Sequence, residues 1–272
     1  MVLVDCHTHS ELSGHGSGGI EDMVRAAEER GLSTLVQTEH LWLPETLDPD
    51  HEDSMDGEQQ AGYLPEISRL QELLSERESG LCLVAGIEAD WLPGRQAELE
   101  RLCAPYSYVL GSVHFLDGLA LDYAPDVGAW EAFGVDGTWE RYIETWLSMV
   151  ESPVPFTAFS HPDLPKKYGQ YPSFDLCEAY AAMAEAVAVR GGMVEVNTSG
   201  LRKPVGECYP SLELLRAFHE AGVPCSLGSD AHRPEEVGAG IERGAALMRA
   251  AGYEQVTVPT PDGDLKSIDL EA

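Results

Sequence analysis

The chain has 272 residues, 43% of them apolar, enough to fill one sizeable core, and a single domain over residues 1–272 is expected. Acidic side chains number 47 against 17 basic ones, and the net charge of −30 repels nucleic-acid phosphates and anionic lipid, which argues against both as partners. The opening MVLVDCHTHS lacks the basic-then-apolar order of a targeting segment, and no apolar run is long enough to cross a membrane, so a cytosolic (cytoplasmic) protein is expected.

Taken in chain order, short β-branched apolar runs begin at Val2 (VLVDCHTH), Ser33 (STLVQTEH), Leu81 (LCLVAGIEAD), Tyr108 (YVLGSVHF), Pro155 (PFTAFSHPD), Gly192 (GMVEVNTSG) and Pro224 (PCSLGSDAH). Between most of these strand candidates lie segments with apolar residues at helical spacing, such as 20–31, 64–80, 174–192 and 210–222, several of them closing on glycine. Alternating strand and helix predict an α/β fold whose parallel sheet closes as a barrel. Residues 42–61, WLPETLDPDHEDSMDGEQQA, are acidic and aperiodic and read as a long loop over one end of that barrel. The six cysteines (Cys6, Cys82, Cys103, Cys177, Cys208, Cys225) form no C-x-x-C pair and read as reduced core residues.

The chemistry lies at the strand ends. His7 and His9 follow the first strand, Glu39 and His40 end the second, Glu88 the third, His114 the fourth, His161 the fifth, Asn197 the sixth, and Asp230 with His232 the seventh. His15 sits in the glycine-rich SGHGSGG turn after the first. In a barrel of parallel strands all these ends open on one face. One histidine after a strand is ordinarily a hydrogen-bonded turn residue, but polar groups of this type at every strand end point to a shared centre.

Neutral imidazole and carboxylate are ligands of zinc, iron and manganese alike, and H-x-H lets two side chains of an extended segment grip one ion. The candidate ligands His7, His9, His15, His40, Glu88, His114, His161, Asp230 and His232 exceed what one ion uses and suit two or three divalent metal ions (Zn, Fe or Mn), with Glu88 as the bridge. His51, in the acidic loop, and His219, within the helical pattern LLRAFHEAG, stand outside the set.

The succession HTH, a histidine in a glycine-rich loop, EH, a glutamate after the third strand, GSVH, SHPD and GSDAH runs from Asp5 to about Gly238 and resembles the polymerase and histidinol phosphatase (PHP) superfamily. The resemblance implies a distorted seven-stranded (β/α)7 TIM-like barrel with a trinuclear metal site at the C-terminal ends of its strands. It further implies His7, His9, Glu88 and Asp230 on the first ion, Glu88, His114 and His161 on the second, and His15, His40 and His232 on the third.

Within the superfamily, GSVHFLDGLALDY, HPDLPKKYG and VNTSGLRKPVGECYPS resemble the histidinol-phosphate phosphatase branch, which implies hydrolysis of L-histidinol phosphate in histidine biosynthesis. The residues agree independently. The chain has only four lysines, and Lys166, Lys167 and Lys203 fall with Arg202 just past the fifth and sixth strands, where a small-molecule phosphate monoester would dock. The prolines flanking Asp163 leave open whether Lys166 or Lys167 faces the phosphate. Direct attack by a metal-bridging hydroxide is expected, with Asp163 a candidate proton donor to the leaving alcohol. Glu39, Glu45, Asp117, Asp122 and Tyr123 are candidates for the substrate's cationic end.

The alternatives are another PHP-fold phosphoesterase of protein-tyrosine phosphatase or nuclease type, a metal-dependent amidohydrolase, which also opens on H-x-H, or a binding barrel without chemistry. No C-x5-R follows a cysteine, the D-x-D of Asp262 and Asp264 lies in the C-terminal tail, and SGHGSGG lacks G-K-[ST]. Thiolate, aspartyl-nucleophile and P-loop chemistry are thereby set aside. Oligomeric state is not legible.

Overall fold

In chain order the strands are β1 (Val4–Thr8), β2 (Thr34–Gln37), β3 (Cys82–Asp90), β4 (Tyr108–Ser112), β5 (Phe115–Leu116), β6 (Leu119–Ala120), β7 (Ala158–Phe159), β8 (Met193–Asn197), β9 (Cys225–Gly228), β10 (Gln255–Pro259) and β11 (Leu265–Asp269). They come from a computed structural model that describes residues 3–124 and 126–270; Val2, where the first strand was expected to begin, lies outside these. Strands β1, β2, β3, β4, β7, β8 and β9 pair in that order, all parallel, in one seven-stranded sheet. The other four form two antiparallel hairpins.

The first and last strands of the sheet meet at a seam. The Asp230 amide donates to the His7 carbonyl at 2.8 Å and the His9 amide to the Ala231 carbonyl at 2.7 Å. Beneath them the buried Asp5 carboxylate accepts hydrogen bonds from the Ser229 amide and hydroxyl and from the Gly238 amide. The sheet is thus nearly closed into a TIM-like α/β barrel, and its seam runs through two of the predicted ligand segments.

Parallel neighbours need long crossovers, which helices fill. These are α1 (Ile20–Glu29), α2 (Gly57–Glu76), α3 (Gln96–Cys103), α4 (Ala129–Glu151), α5 (Cys177–Arg190) and α6 (Leu212–Glu220), followed by α7 (Ile241–Ala251) after the last barrel strand. In α1 the buried residues Ile20, Met23, Val24 and Ala27 form one stripe against the sheet. Inside the barrel, Tyr108 is fully buried and its hydroxyl lies 3.4 Å from Ser226 Oγ on β9.

Three expectations need correction. The helix expected at 64–80 starts at Gly57, because Asp56 caps it by accepting from the Glu58 and Gln59 amides; Pro65 lies inside the helix, not at its start. The last residues of the interval 42–61 are therefore helical, while 42–56 form the expected loop, held by contacts of its own. Asp48 accepts from the Glu52 amide and the Ser54 hydroxyl, while Leu43 and Leu47 pack with Leu92, Phe115 and Ala120. Third, Cys177 is exposed and Cys82 half-buried, whereas the other four cysteines are core residues; all six are free. Among the described residues no helix is long and apolar enough to cross a membrane.

Candidate metal centre

Glu88 lies at the centre of the barrel mouth. Its Oε2 is 3.0 Å from His40 Nδ1, 3.2 Å from His7 Nε2 and 3.3 Å from His9 Nε2, while Oε1 is 3.1 Å from His161 Nε2 and 3.9 Å from His114 Nε2. One carboxylate therefore turns its two oxygens to two different sets of imidazoles. Backbone pairing fixes the nearest of them: the Glu88 amide donates to the Glu39 carbonyl and the Leu41 amide to the Glu88 carbonyl, so His40 is held beside Glu88. Asp230 Oδ1 faces the same space, 3.5 Å from His9 Nε2 and 3.8 Å from His7 Nε2.

Ligand atoms within 4.8 Å of one another form four groups: His7, His9 and Asp230; Glu88, His114 and His161; His9, His40 and His232; and His40, Asp90 and His114. His15 stands at the rim of the third, its ring 4.5 Å from His232 and 5.3 Å from His40, and its Nδ1 is 3.4 Å from Asp53 Oδ1. These nitrogens and oxygens are the donors divalent ions take.

The donors also lack other partners. His7 Nε2, His9 Nε2 and His232 Nε2 are buried without a hydrogen bond among the described residues, whereas buried polar atoms are normally paired. Burial opposes ionisation of Glu88 and Asp230, yet the imidazoles around them hold both carboxyls well below the usual range. Burial, with His40 and His232 beside it, holds His9 well below the ordinary imidazole range. Burial opposes protonation of His7, His40 and His114 as well, but the carboxylates beside them, Glu195, Glu88 and Asp90, raise all three, so a metal taking their nitrogens would displace protons.

A cleft of about 550 Å³ opens above the cluster. Lys167, Arg202, Lys203 and Arg233 line it, together with Asp122 and Tyr123. Arg202 Nη2 donates to the Ser229 and Asp230 carbonyls at 2.9 and 3.0 Å, which anchors the guanidinium beside the ligand carboxylate.

With this geometry in view, the match of residues 5–199 to the PHP domain family model decides the family. The chain belongs to the PHP domain family. A PHP relative from Deinococcus radiodurans, named "probable histidinol-phosphatase", is 36% identical over 258 residues, 94% of this chain and 96% of its own. A histidinol-phosphatase of Lactococcus lactis is 24% identical over 94% of either chain. The crystal structure of histidinol phosphate phosphatase from that organism, complexed with zinc, L-histidinol and phosphate, superposes with a TM-score of 0.80 at 21% identity, covering 97% of this chain and 98% of that one. PHP membership sets aside the amidohydrolase alternative.

Around this PHP centre, several predicted residues fall elsewhere than expected. Lys166 and Asp163 do not reach the cleft: both are buried, with Nζ 3.0 Å from Oδ2, and Nζ also donates to the Cys208 carbonyl. The reason is the 3-10 turn Leu164–Tyr168, in which each residue rotates by about a third of a turn, so Lys166 points inward and Lys167 into the cleft. Asp163 does not line the cleft, and its Oδ2 is taken up by Lys166 and the Ser211 amide, which removes the ground for a proton donor there. Glu39 is likewise buried and occupied, accepting from the Ser10 and Ser13 hydroxyls and from Gln37 Nε2. Ser13 in turn lies 3.2 Å from His9 Nδ1, so Glu39 braces the His9 ring through Ser13 and does not line the cleft. Asp117 pairs with Arg141 at the surface, and Glu45 is exposed. His219 packs against Tyr253, and neither it nor His51 lines the cleft.

Two carboxylates escaped the sequence reading. Asp90 accepts from the His114 amide and lies 3.1 Å from its Nδ1, and Glu195 lies 2.7 Å from His7 Nδ1. A signal existed: each is an acid in a largely apolar and buried parallel strand, Glu195 in the middle of β8 and Asp90 at the end of β3, where an ionisable group needs a partner.

Proposed function

We propose that this chain is a metal-dependent phosphomonoesterase that hydrolyses L-histidinol phosphate to histidinol and phosphate. The carrying observation is Glu88, whose two oxygens face two imidazole sets beneath a cleft that also holds fixed cations. The names of the Deinococcus and Lactococcus relatives support the substrate, as do the zinc, L-histidinol and phosphate bound in a structure of the same fold.

The ligand assignment is His7, His9, Glu88 and Asp230 for one ion, Glu88, His114 and His161 for a second, and His40 and His232 with the rim residue His15 for a third. Two or three zinc, iron or manganese ions fit these donors. Bound there, divalent ions supply Lewis acidity toward phosphoryl oxygens and a hydroxide nucleophile near neutral pH. The protein's own contribution is placement. Arg202, Lys203 and Lys167 receive the phosphate at the metal mouth, with Arg202 locked by two backbone carbonyls before substrate arrives. Lys167, tied to Asp122 at 3.1 Å, carries its charge into the same cleft, where Asp122 and Tyr123 meet the cationic end of the amino alcohol. The chain acts as one domain in the cytoplasm, on a small molecule and not on nucleic acid or membrane.

The test is phosphate release by metal-loaded protein from L-histidinol phosphate, p-nitrophenyl phosphate, a phosphotyrosine peptide and a short oligonucleotide. The expected result is a kcat/KM for L-histidinol phosphate well above all three others; preference for the peptide or oligonucleotide would move the chain to another PHP activity.

A further inference from the structure

We infer that Glu195 is a positioning residue that sets three ligand segments at once. It is fully buried in the middle of β8, within MVEVN, and lies outside the cleft lining. Its Oε1 is 2.7 Å from His7 Nδ1. Its Oε2 accepts from the His161 amide at 3.1 Å and from Asn197 Nδ2 at 3.2 Å. Asn197 Nδ2 in turn donates to Asp230 Oδ2 at 3.2 Å. One carboxylate thus reaches His7 in β1, His161 after β7 and, through Asn197, Asp230 after β9.

Each contact does specific work. With Glu195 accepting from His7 Nδ1–H, the nitrogen left for a metal is Nε2, which lies 3.2 Å from Glu88 Oε2 and 3.8 Å from Asp230 Oδ1. His161 and Asp230 adopt left-handed backbone, with φ of 25° and 53°, a conformation L residues rarely hold without support. Both are residues that the Glu195 and Asn197 side chains bind. Room for this arrangement comes from Gly228, where a Cβ would stand 2.5 Å from His7 Cβ and 2.6 Å from Glu195 Oε1.

The inference rests on reading the cluster as a metal centre and is independent of the substrate. Glu195→Gln keeps the volume but offers a single acceptor oxygen where both His7 Nδ1–H and the His161 amide need one. With the oxygen turned to His161, its amide favours the His7 tautomer protonated on Nε2, the ligand atom. Glu195→Asp keeps two acceptors but shortens the side chain.

Zinc ions are titrated into chelator-stripped wild type and both variants against a chromophoric chelator, beside thermal unfolding of the stripped proteins. The expected result is a tightest-site Kd raised about 10- to 100-fold in Glu195→Gln, less in Glu195→Asp, with stripped Glu195→Gln melting within about 3 °C of stripped wild type. A plain packing role predicts the reverse order, because glutamine matches the volume that aspartate loses. Zinc affinity in Glu195→Gln within about threefold of wild type, tighter binding by Glu195→Gln than by Glu195→Asp, or stripped Glu195→Gln melting far below stripped wild type would each overturn the positioning role. Wild type that takes up no zinc would overturn the metal centre itself.

Discussion

Lys166 Nζ lies 3.0 Å from Asp163 Oδ2, both side chains buried, and the same Oδ2 accepts from the amide of Ser211, the N-cap of α6. The pair ties the turn after β7 to the segment entering α6. Removing one member leaves an uncompensated buried charge, which costs about 3–5 kcal/mol. Lys166→Met is therefore expected to lower the melting temperature by about 10 °C, with kcat/KM of the folded enzyme changed less than about tenfold. Lys167→Met is expected to do the opposite, raising KM with little change in melting. Thermal unfolding and steady-state kinetics of the two variants check the contrast.

Arg202 is the cation most firmly fixed at the mouth. A charge-assisted hydrogen bond of the kind it would make to phosphate is worth about 1.5–3 kcal/mol, so Arg202→Ala is expected to cut kcat/KM by about 10- to 150-fold. Lys203 is exposed like Arg202 but, among the described residues, has no hydrogen bond or ion pair to fix its side chain, and its replacement by alanine is expected to cost only a few-fold. Equal losses in the two variants would contradict the placement of phosphate against Arg202.

Glu88 is shared between the imidazole sets, so Glu88→Ala is expected to remove bound metal from more than one site and to lower kcat by about 10³-fold or more. His15 is half-exposed at the rim, and His15→Ala is expected to cost at most one ion. Metal content by mass spectrometry of the purified variants separates these outcomes.

Gly228 has no space for a methyl group between His7 and Glu195. Gly228→Ala is expected to cost about 1–3 kcal/mol through overpacking and to weaken zinc binding in parallel, because the displaced atoms belong to a ligand and its support. An alanine variant with wild-type melting and wild-type zinc affinity would show that the strand yields without moving His7.

The barrel and most of the residues gathered at its mouth were legible because the same physics wrote both. Parallel strands buried on two faces read as continuous apolar runs, and the polar residues that interrupt them at their ends, from His7 and His9 through Asp230 and His232, are the ones the topology gathers. Residues that act inside a strand or behind the wall were not legible. Glu195 lies within its strand and Asp90 ends a strand two residues beyond Glu88, and only the side-to-side order of strands reveals that they face His7 and His114. Whether Lys166 or Lys167 meets the cleft turns on one short 3-10 turn, whose rotation the spacing of two adjacent lysines does not encode. Glu39 looked like a mouth residue from its position after β2, but Ser10 and Ser13, in the turn after β1, claim its oxygens.

The most direct measurement is hydrolysis of L-histidinol phosphate by one preparation before chelation, after chelation and after zinc is restored, with bound metal counted at each stage. The account predicts turnover that falls about 10³-fold or more as metal leaves and returns with two or three ions per chain. Turnover that survives complete metal removal would contradict it.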